Sequence, residues 1–402
     1  MNRWATGCIG VVVLLTAILT PKDRLAQMFV ERSGGKLLFH DESPDGTVAV
    51  VQQGAERARF NRLYIQGVSN SGDAMASQRY MRLQALLPLL IHRGEPRSVL
   101  VIGFGTGITA GALLPYPGLE RRVCAELLPS VVRTAPLFRG NFGAASDPRV
   151  EIRLEDGRRE LLRSSEQYDI ITLEPPPPSA AGVVNLYSRD FYELARTRLR
   201  PGGLLAQWWP LATQNDEDSR AMVRSLLDAF PHATLWTTEF HEMLLVGSEE
   251  PIELDATRIA SRYNQPEVAA AFREVGIGSP AALLATWVTD RQGLESYAGD
   301  TPPVTDDHPR IEYASWLRRG EFQRVLQKVV ALGTEPPLQH TDEAFQTEVA
   351  AERERLLEFY EAGLYALAGE RERWASVLRR VLAEDGSNPY YRSIVEGQQS
   401  AP

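Results

Sequence analysis

Val99-Leu100-Val101-Ile102-Gly103-Phe104-Gly105-Thr106-Gly107 decides how this chain is built. The first four residues are apolar and mostly β-branched, with no polar alternation, as a strand covered on both faces requires. The glycines that follow carry no Cβ, so the backbone can turn sharply and a ligand can approach bare amides where the next helix begins. The third glycine comes one position early for the G-x-G-x-x-G spacing of dinucleotide sites, which disfavours a nicotinamide cofactor.

On either side of that stretch the pattern repeats. Ser98–Ile102, Arg121–Ala125, Val150–Leu154, Tyr168–Leu173 and Leu204–Trp208 read as strands separated by helical or turn segments, the rhythm of a doubly wound parallel sheet. ATLWTT and MLLVG add a closing antiparallel hairpin. Upstream, KLLFH, TVAVVQ and RLYIQGV alternate between Pro44-Asp45-Gly46 and Gly54, which predicts a small antiparallel β subdomain. Ala74–His92 carries Tyr80, Leu83, Leu87 and Leu90 at helical spacing. Beyond Glu321 the chain is mainly helical, and Ala350–Ala368 with Glu370–Leu382 has the look of a helical hairpin, either a packed appendage or the edge of a partner site.

Composition narrows the function. Of 402 residues, 44% are hydrophobic and 24% charged, an ordinary globular balance, and the formal net charge of -9 supplies no positive field for nucleic acid. Cys8 and Cys124 make neither a disulfide framework nor a metal site, and no metal is expected. Ala5–Leu19 is uncharged between Arg3 and Lys22, which predicts a membrane-inserting segment; a signal anchor and a signal peptide both fit, and the basic flanks leave orientation open. We read it as an uncleaved single-pass anchor with the catalytic domain on the cytoplasmic side. The expected divisions are a membrane segment over 1–21, a β subdomain over 30–72, a ligand-binding domain over 74–320 and a helical region over 321–402.

Three carboxylates fall where open α/β sheets bind ligands. Glu126 ends the second strand, near the ~20-residue offset from the glycines at which an acid meets ribose hydroxyls. Asp156-Gly157 follows the third strand, where aspartate can accept from an adenine amino group, although Asp-Gly alone also reads as a turn. Glu174 follows the fourth strand and opens Glu174-Pro-Pro-Pro-Pro178, a stiff segment suited to a gate or pocket wall. Downstream, Tyr187, Phe191, Tyr192, Trp208 and Trp209 read equally as core or pocket residues.

Together VLVIGFGTG, Glu126, EDGR, YDIITLEP, AGVVNLYSRDFYE, LRPGGLLAQWWP and TDDHPRIEY resemble the spermidine/spermine synthase family, particularly its membrane-fused bacterial branch, from Leu37 to about Glu312. The resemblance implies a small β domain ahead of a methyltransferase-like Rossmann domain. It also implies decarboxylated S-adenosylmethionine as aminopropyl donor and a polyamine or other amine as acceptor. Donor-binding roles carry over onto Gly103, Gly105, Gly107, Glu126, Asp156 and Gly157. Acceptor-side roles fall on Tyr80, Tyr187, Gln207 and Trp208, with a homodimer as the expected assembly.

The acceptor side departs from the family pattern. Asp-Ser-Ser-Asp-Pro is replaced by Glu174-Pro-Pro-Pro-Pro178, so the second carboxylate becomes Pro177. Leu-x-x-Asp-Gly-x-x-Gln becomes Leu63 to Asn70 with Gln66 in place of the aspartate, and Tyr-His becomes Tyr80-Met81. A dication site has lost charge. Glu174 is the candidate general base, since attack by an amine on carbon beside a sulfonium needs a proton acceptor. Two rival readings use the same scaffold: an S-adenosylmethionine-dependent methyltransferase, and a catalytically inactive, membrane-tethered nucleoside-binding module.

Overall fold

The computed structural model describes residues 24–398 other than Arg57, Tyr313 and Ser315. The expected membrane segment, 1–21, lies outside the described residues, among which no helix is long and apolar enough to cross a membrane.

Strands β1 (Lys36–Ser43), β2 (Gly46–Gln53), β3 (Phe60–Ile65) and β4 (Val68–Gly72) pair consecutively into a four-stranded antiparallel sheet. The two-residue connection between β3 and β4 places Gln66 at φ 48° and Gly67 at φ 79°. Positive φ at both positions matches the right-handed twist of a tight hairpin, and Gln66 accepts a conformation that side chains usually avoid. On the other edge, Asp41 of β1 accepts from Ser130 and Arg133, tying the subdomain to helix Pro129–Thr134.

The main sheet contains β5 (Ser98–Ile102), β6 (Arg121–Ala125), β7 (Val150–Arg153), β8 (Tyr168–Leu173), β9 (Leu199–Pro210), β10 (His232–Glu239), β11 (Glu242–Ser248) and the strand Trp287–Asp290. Their spatial order is Trp287–Asp290, β10, β11, β9, β8, β5, β6, β7. Strands β7, β6, β5, β8 and β9 run parallel, whereas β11, β10 and Trp287–Asp290 are antiparallel additions. Chain order reverses at β5, flanked by β6 and β8, so a crevice opens beyond the carboxyl ends of these strands. The methyltransferase-like α/β arrangement is therefore present.

Adjacent residues of a strand face opposite layers. Val99 and Val101 enter the core beneath helix Met75–Ile91, while Leu100 and Ile102 enter the layer that holds Phe191, Met222 and Leu226. That double coverage explains why the strand carries no polar alternation.

The same core continues past residue 320. Helices Glu343–Ala368 and Arg371–Asp385 form an antiparallel pair whose Phe359, Tyr360 and Val381 join the layer of Leu235 and Met243. Tyr360 Oη lies 2.7 Å from Thr237 Oγ1, and Tyr390 Oη accepts from Phe240 N at 3.2 Å. The C-terminal hairpin is thus a packed appendage, and Tyr390 of the helix that follows it, Pro389–Gln398, buttresses the β10–β11 turn.

Candidate active site

A cavity of about 640 Å³ occupies the crevice, within the range of small-molecule sites. It brings together Gly103, Gly105, Glu126, Asp156, Gly157 and Glu174, which lie far apart in sequence but all follow carboxyl ends of parallel strands.

Each is held there by a local cause. Gly103 takes φ 94°, and a Cβ on it would come within 3.1 Å of the Glu174 carbonyl oxygen, so only glycine lets the β5 and β8 ends meet this closely. Glu126 Oε2 accepts from Phe104 N at 2.9 Å and Oε1 from Leu128 N at 2.8 Å, so the carboxylate organises the glycine loop as well as facing the cavity. Burial pushes its pKa up, partly offset by these backbone donors. Asp156 caps helix Gly157–Arg163, accepting from Arg159 N at 2.8 Å. A side chain at Gly157 would strike Ile102 Cγ2 at 2.2 Å.

Glu174 is the most perturbed acid of this wall. Tyr80 Oη donates to its Oε1 at 2.5 Å and Thr109 Oγ1 to its Oε2 at 3.2 Å. Burial raises its pKa to about 7, against the lowering effect of these two donors. A carboxylate poised there exchanges a proton near neutral pH. Tyr80 in turn stacks on Trp208, with ring centroids 6.1 Å apart.

Five expected site residues do not line the cavity. Tyr80 meets it only through its hydrogen bond to Glu174 and Trp208 only through its stacking on Tyr80, while Gly107, Gln207 and Tyr187 lie elsewhere, each for a clear reason. Gly107 does not line the cavity: its φ of 80° starts helix Ile108–Gly111, and a Cβ would meet the Phe104 ring at 2.7 Å, so its role is to let the backbone turn. Gln207 is fully buried, accepting from Tyr192 Oη at 3.2 Å and donating to Trp208 O at 2.8 Å. It neighbours Trp208 on β9 and so points into the opposite layer. Tyr187 shares that layer and donates to Pro176 O at 3.2 Å, supporting the proline segment from behind.

Other wall residues escaped the sequence reading. Asp45, Ile65, Gln66, Val68 and Asn70 bring the β subdomain over the cavity, through its β1–β2 and β3–β4 turns. The Leu63–Asn70 motif was the signal for four of them and the Pro44-Asp45-Gly46 turn for Asp45, but the positive φ of Gln66 was not readable from either. TDDHPRIEY acts at a distance: Asp306 accepts from Arg158 at 2.9 Å and from Ser188 Oγ at 2.7 Å, while Arg158 also donates to Asn185 O at 3.1 Å. One aspartate therefore latches the Asp156-Gly157-Arg158 turn to the segment that follows the prolines.

The lining carries four carboxylates, Asp45, Glu126, Asp156 and Glu174, and a single guanidinium, Arg158, which is ion-paired. Such a wall attracts cations and repels phosphates. Among the described residues, no cluster of side chains is suited to hold a metal ion.

A Rossmann-type sheet with this acid-lined crevice defines a ligand-binding class, and comparison with known proteins narrows it. Residues 77–240 match the spermine/spermidine synthase domain. The polyamine aminopropyltransferase of Nitrosomonas europaea is 35% identical over 243 residues, 57% of this chain and 72% of that protein. Polyamine aminopropyltransferase 2 of Pseudomonas aeruginosa is 36% identical over 181 residues, 44% of this chain and 51% of that protein. A solved spermidine synthase in complex with the transition state analogue AdoDATO aligns with 74% of this chain and 88% of its own, at 14% identity and a TM-score of 0.48. The chain belongs to the spermine/spermidine synthase family, a family of transferases.

Proposed function

We propose that the protein is an aminopropyltransferase that uses decarboxylated S-adenosylmethionine to alkylate a polyamine or related amine. The observation that carries this reading is the Glu174 carboxyl at the cavity wall, hydrogen-bonded to Tyr80 and Thr109 and titrating near pH 7. In this scheme an amine nitrogen attacks the carbon beside the sulfonium. The new C–N bond forms as the C–S bond breaks, its electron pair neutralises sulfur, and a thioether nucleoside departs. Glu174 takes the proton that the alkylated nitrogen releases.

Gly103, Gly105 and Gly157 would let the adenosyl group approach the backbone, with Glu126 accepting from ribose hydroxyls and Asp156 from the adenine amino group. The acidic lining supports the decarboxylated donor over S-adenosylmethionine. The former is purely cationic, whereas the carboxylate of the latter would need a free cation, and Arg158 is already paired with Asp306. Methyl transfer is the rival that this charge balance disfavours. Domain roles follow: 30–72 roofs the site, 74–320 binds donor and acceptor, and 321–402 braces the acceptor end.

Incubation with decarboxylated donor and 1,4-diaminobutane tests the reading through thioether nucleoside release. Methylated amine from S-adenosylmethionine, with no thioether from the decarboxylated donor, would transfer the site to the methyltransferase reading. We assign the uncharged run Ala5–Leu19 as a single-pass tether with the catalytic domain in the cytoplasm. Recovery of the full-length protein in the soluble fraction with an intact N-terminus refutes that assignment.

A further inference from the structure

Glu242 opens β11 at the end of the sheet where the parallel strands finish, because β11 runs antiparallel to β9. It pairs with Pro210, and Leu244 pairs with Trp208, so Glu242 and Trp208 are diagonal neighbours on one face. That face is the one covered by helix Met75–Ile91, whose Tyr80 stacks on Trp208 and donates to Glu174. Two carboxylates therefore flank one Tyr80–Trp208 aromatic pair.

Their surroundings differ. Glu174 has two hydroxyl donors, whereas Glu242 Oε2 is shielded from solvent with no hydrogen-bond partner. Trp208 Nε1 is equally shielded; it acts as a donor that eases the ionisation of Glu242 without closing a well-formed hydrogen bond to it. The neighbouring Glu239 is satisfied, accepting from His241 N at 2.8 Å and from Tyr390 Oη at 3.3 Å. Burial, Glu239 and Glu174 all push the Glu242 pKa up. Trp208 and Arg62, the latter hydrogen-bonded to Ser69 at 3.0 Å, only partly offset this. A carboxyl oxygen shielded from water without a well-formed hydrogen bond, beside a second acid, is costly unless a cation joins them.

We propose that Glu242 is the second anionic anchor of the acceptor site, receiving the distal ammonium of a short diamine whose reacting nitrogen is held at Glu174. The inference rests on the aminopropyl-transfer reading. It replaces the charge missing at Pro177 with one supplied from another strand, and Trp208 between the two acids offers a ring face to the alkyl chain and its charge. Glu242 on this view sets specificity and takes no proton in the chemical step.

The test measures amine binding by calorimetry, with the full chain saturated with 5′-methylthioadenosine. Wild type should bind 1,4-diaminobutane at least about tenfold tighter than butylamine, the factor that one ion-paired ammonium commonly contributes. Glu242→Gln should lose that preference by weakening the diamine alone, with donor affinity unchanged and KM for the diamine raised more than kcat is lowered. Glu242→Asp, one methylene shorter, should shift the preference toward 1,5-diaminopentane. A melting curve no lower than wild type for Glu242→Gln confirms that the fold survives. If wild type binds the nucleoside but does not prefer the diamine, or if both variants keep wild-type selectivity, the Glu242 assignment is overturned. If wild type does not bind the nucleoside, the underlying donor-site reading falls as well.

Discussion

Tyr80 Oη donates a 2.5 Å hydrogen bond to Glu174 Oε1, joining the helix that covers one face of the sheet to the carboxyl end of β8. Burial and the adjacent acid drive the Tyr80 pKa well up, so the phenol stays protonated and remains a donor across the working pH range. The pair is thus a carboxylate with a fixed proton-donating neighbour, and its consequences are measurable.

Glu174→Gln keeps the size of the side chain but removes the proton acceptor. Turnover should fall by roughly 10² to 10⁴, the usual contribution of a positioned general base, while donor affinity stays within about twofold. Rapid-quench turnover beside nucleoside titration separates the two effects. A parallel loss of donor binding would place Glu174 in the donor site instead.

Tyr80→Phe removes the shortest hydrogen bond to Glu174 and leaves Thr109 as its donor. Because that bond lowers the Glu174 pKa, the variant should require a higher pH for the same activity. In wild type, kcat/KM for the amine should rise through about pH 7 as Glu174 loses its proton. The limb should move upward in Tyr80→Phe and disappear in Glu174→Gln.

Stability should carry the opposite sign. The folded Glu174 pKa of about 7 lies above its ordinary value of 4.5, so the folded state holds the proton more tightly than the unfolded chain. Stability from this group is present below about pH 4.5 and is lost as pH rises through about 7, by ~3 kcal/mol at most. Glu174→Gln should therefore melt higher than wild type at pH 8 and no higher at pH 4.5. Equal shifts at both pH values would show that packing, not ionisation, changed.

Much of this was legible from the sequence because it is local. The uninterrupted apolar run before Gly103 announces a doubly covered strand; Glu126 and Glu174 directly follow buried strands, and Asp156 follows the edge strand β7 after two residues. Parity was the point at which local reading failed: Gln207 and Trp208 are adjacent, so they cannot both face Tyr80, and Gln207 turns to Tyr192 instead. Glu242 carries no signal in its own segment, since its environment comes from β9, β11 and helix Met75–Ile91 together. Asp306 was visible within a motif, but its partnership with Arg158 joins elements 148 residues apart and depends on tertiary contact.

Gly157→Ala should both destabilise the protein and weaken donor binding, because the new methyl would lie 2.2 Å from Ile102 Cγ2 in the packed floor of the cavity. A cost of about 1–3 kcal/mol is expected for such overpacking. Gly278→Ala, where no atom lies within 4 Å, should change stability by less than ~0.5 kcal/mol. Urea unfolding of the two variants checks the contrast.

Tyr390→Ala tests the brace at the acceptor end. Its ring lies 4.1 Å from the Arg79 guanidinium, and its hydroxyl accepts from Phe240 N and donates to Glu239. Removal should cost about 3–5 kcal/mol, as for other buried aromatics. Because Arg79 precedes Tyr80 and Glu239 precedes the β10–β11 turn, KM for the amine should rise more than the Kd for the nucleoside. An unaltered amine KM would detach the C-terminal helices from the site.

The most direct measurement is 5′-methylthioadenosine release by wild type and Glu174→Gln, each given decarboxylated S-adenosylmethionine and 1,4-diaminobutane, with S-adenosylmethionine as the alternative donor. The expected result is thioether release by wild type from the decarboxylated donor, at least about a hundredfold slower release by Glu174→Gln, and no methylated amine from S-adenosylmethionine. Equal turnover by the two proteins, or methyl transfer in place of aminopropyl transfer, would contradict it.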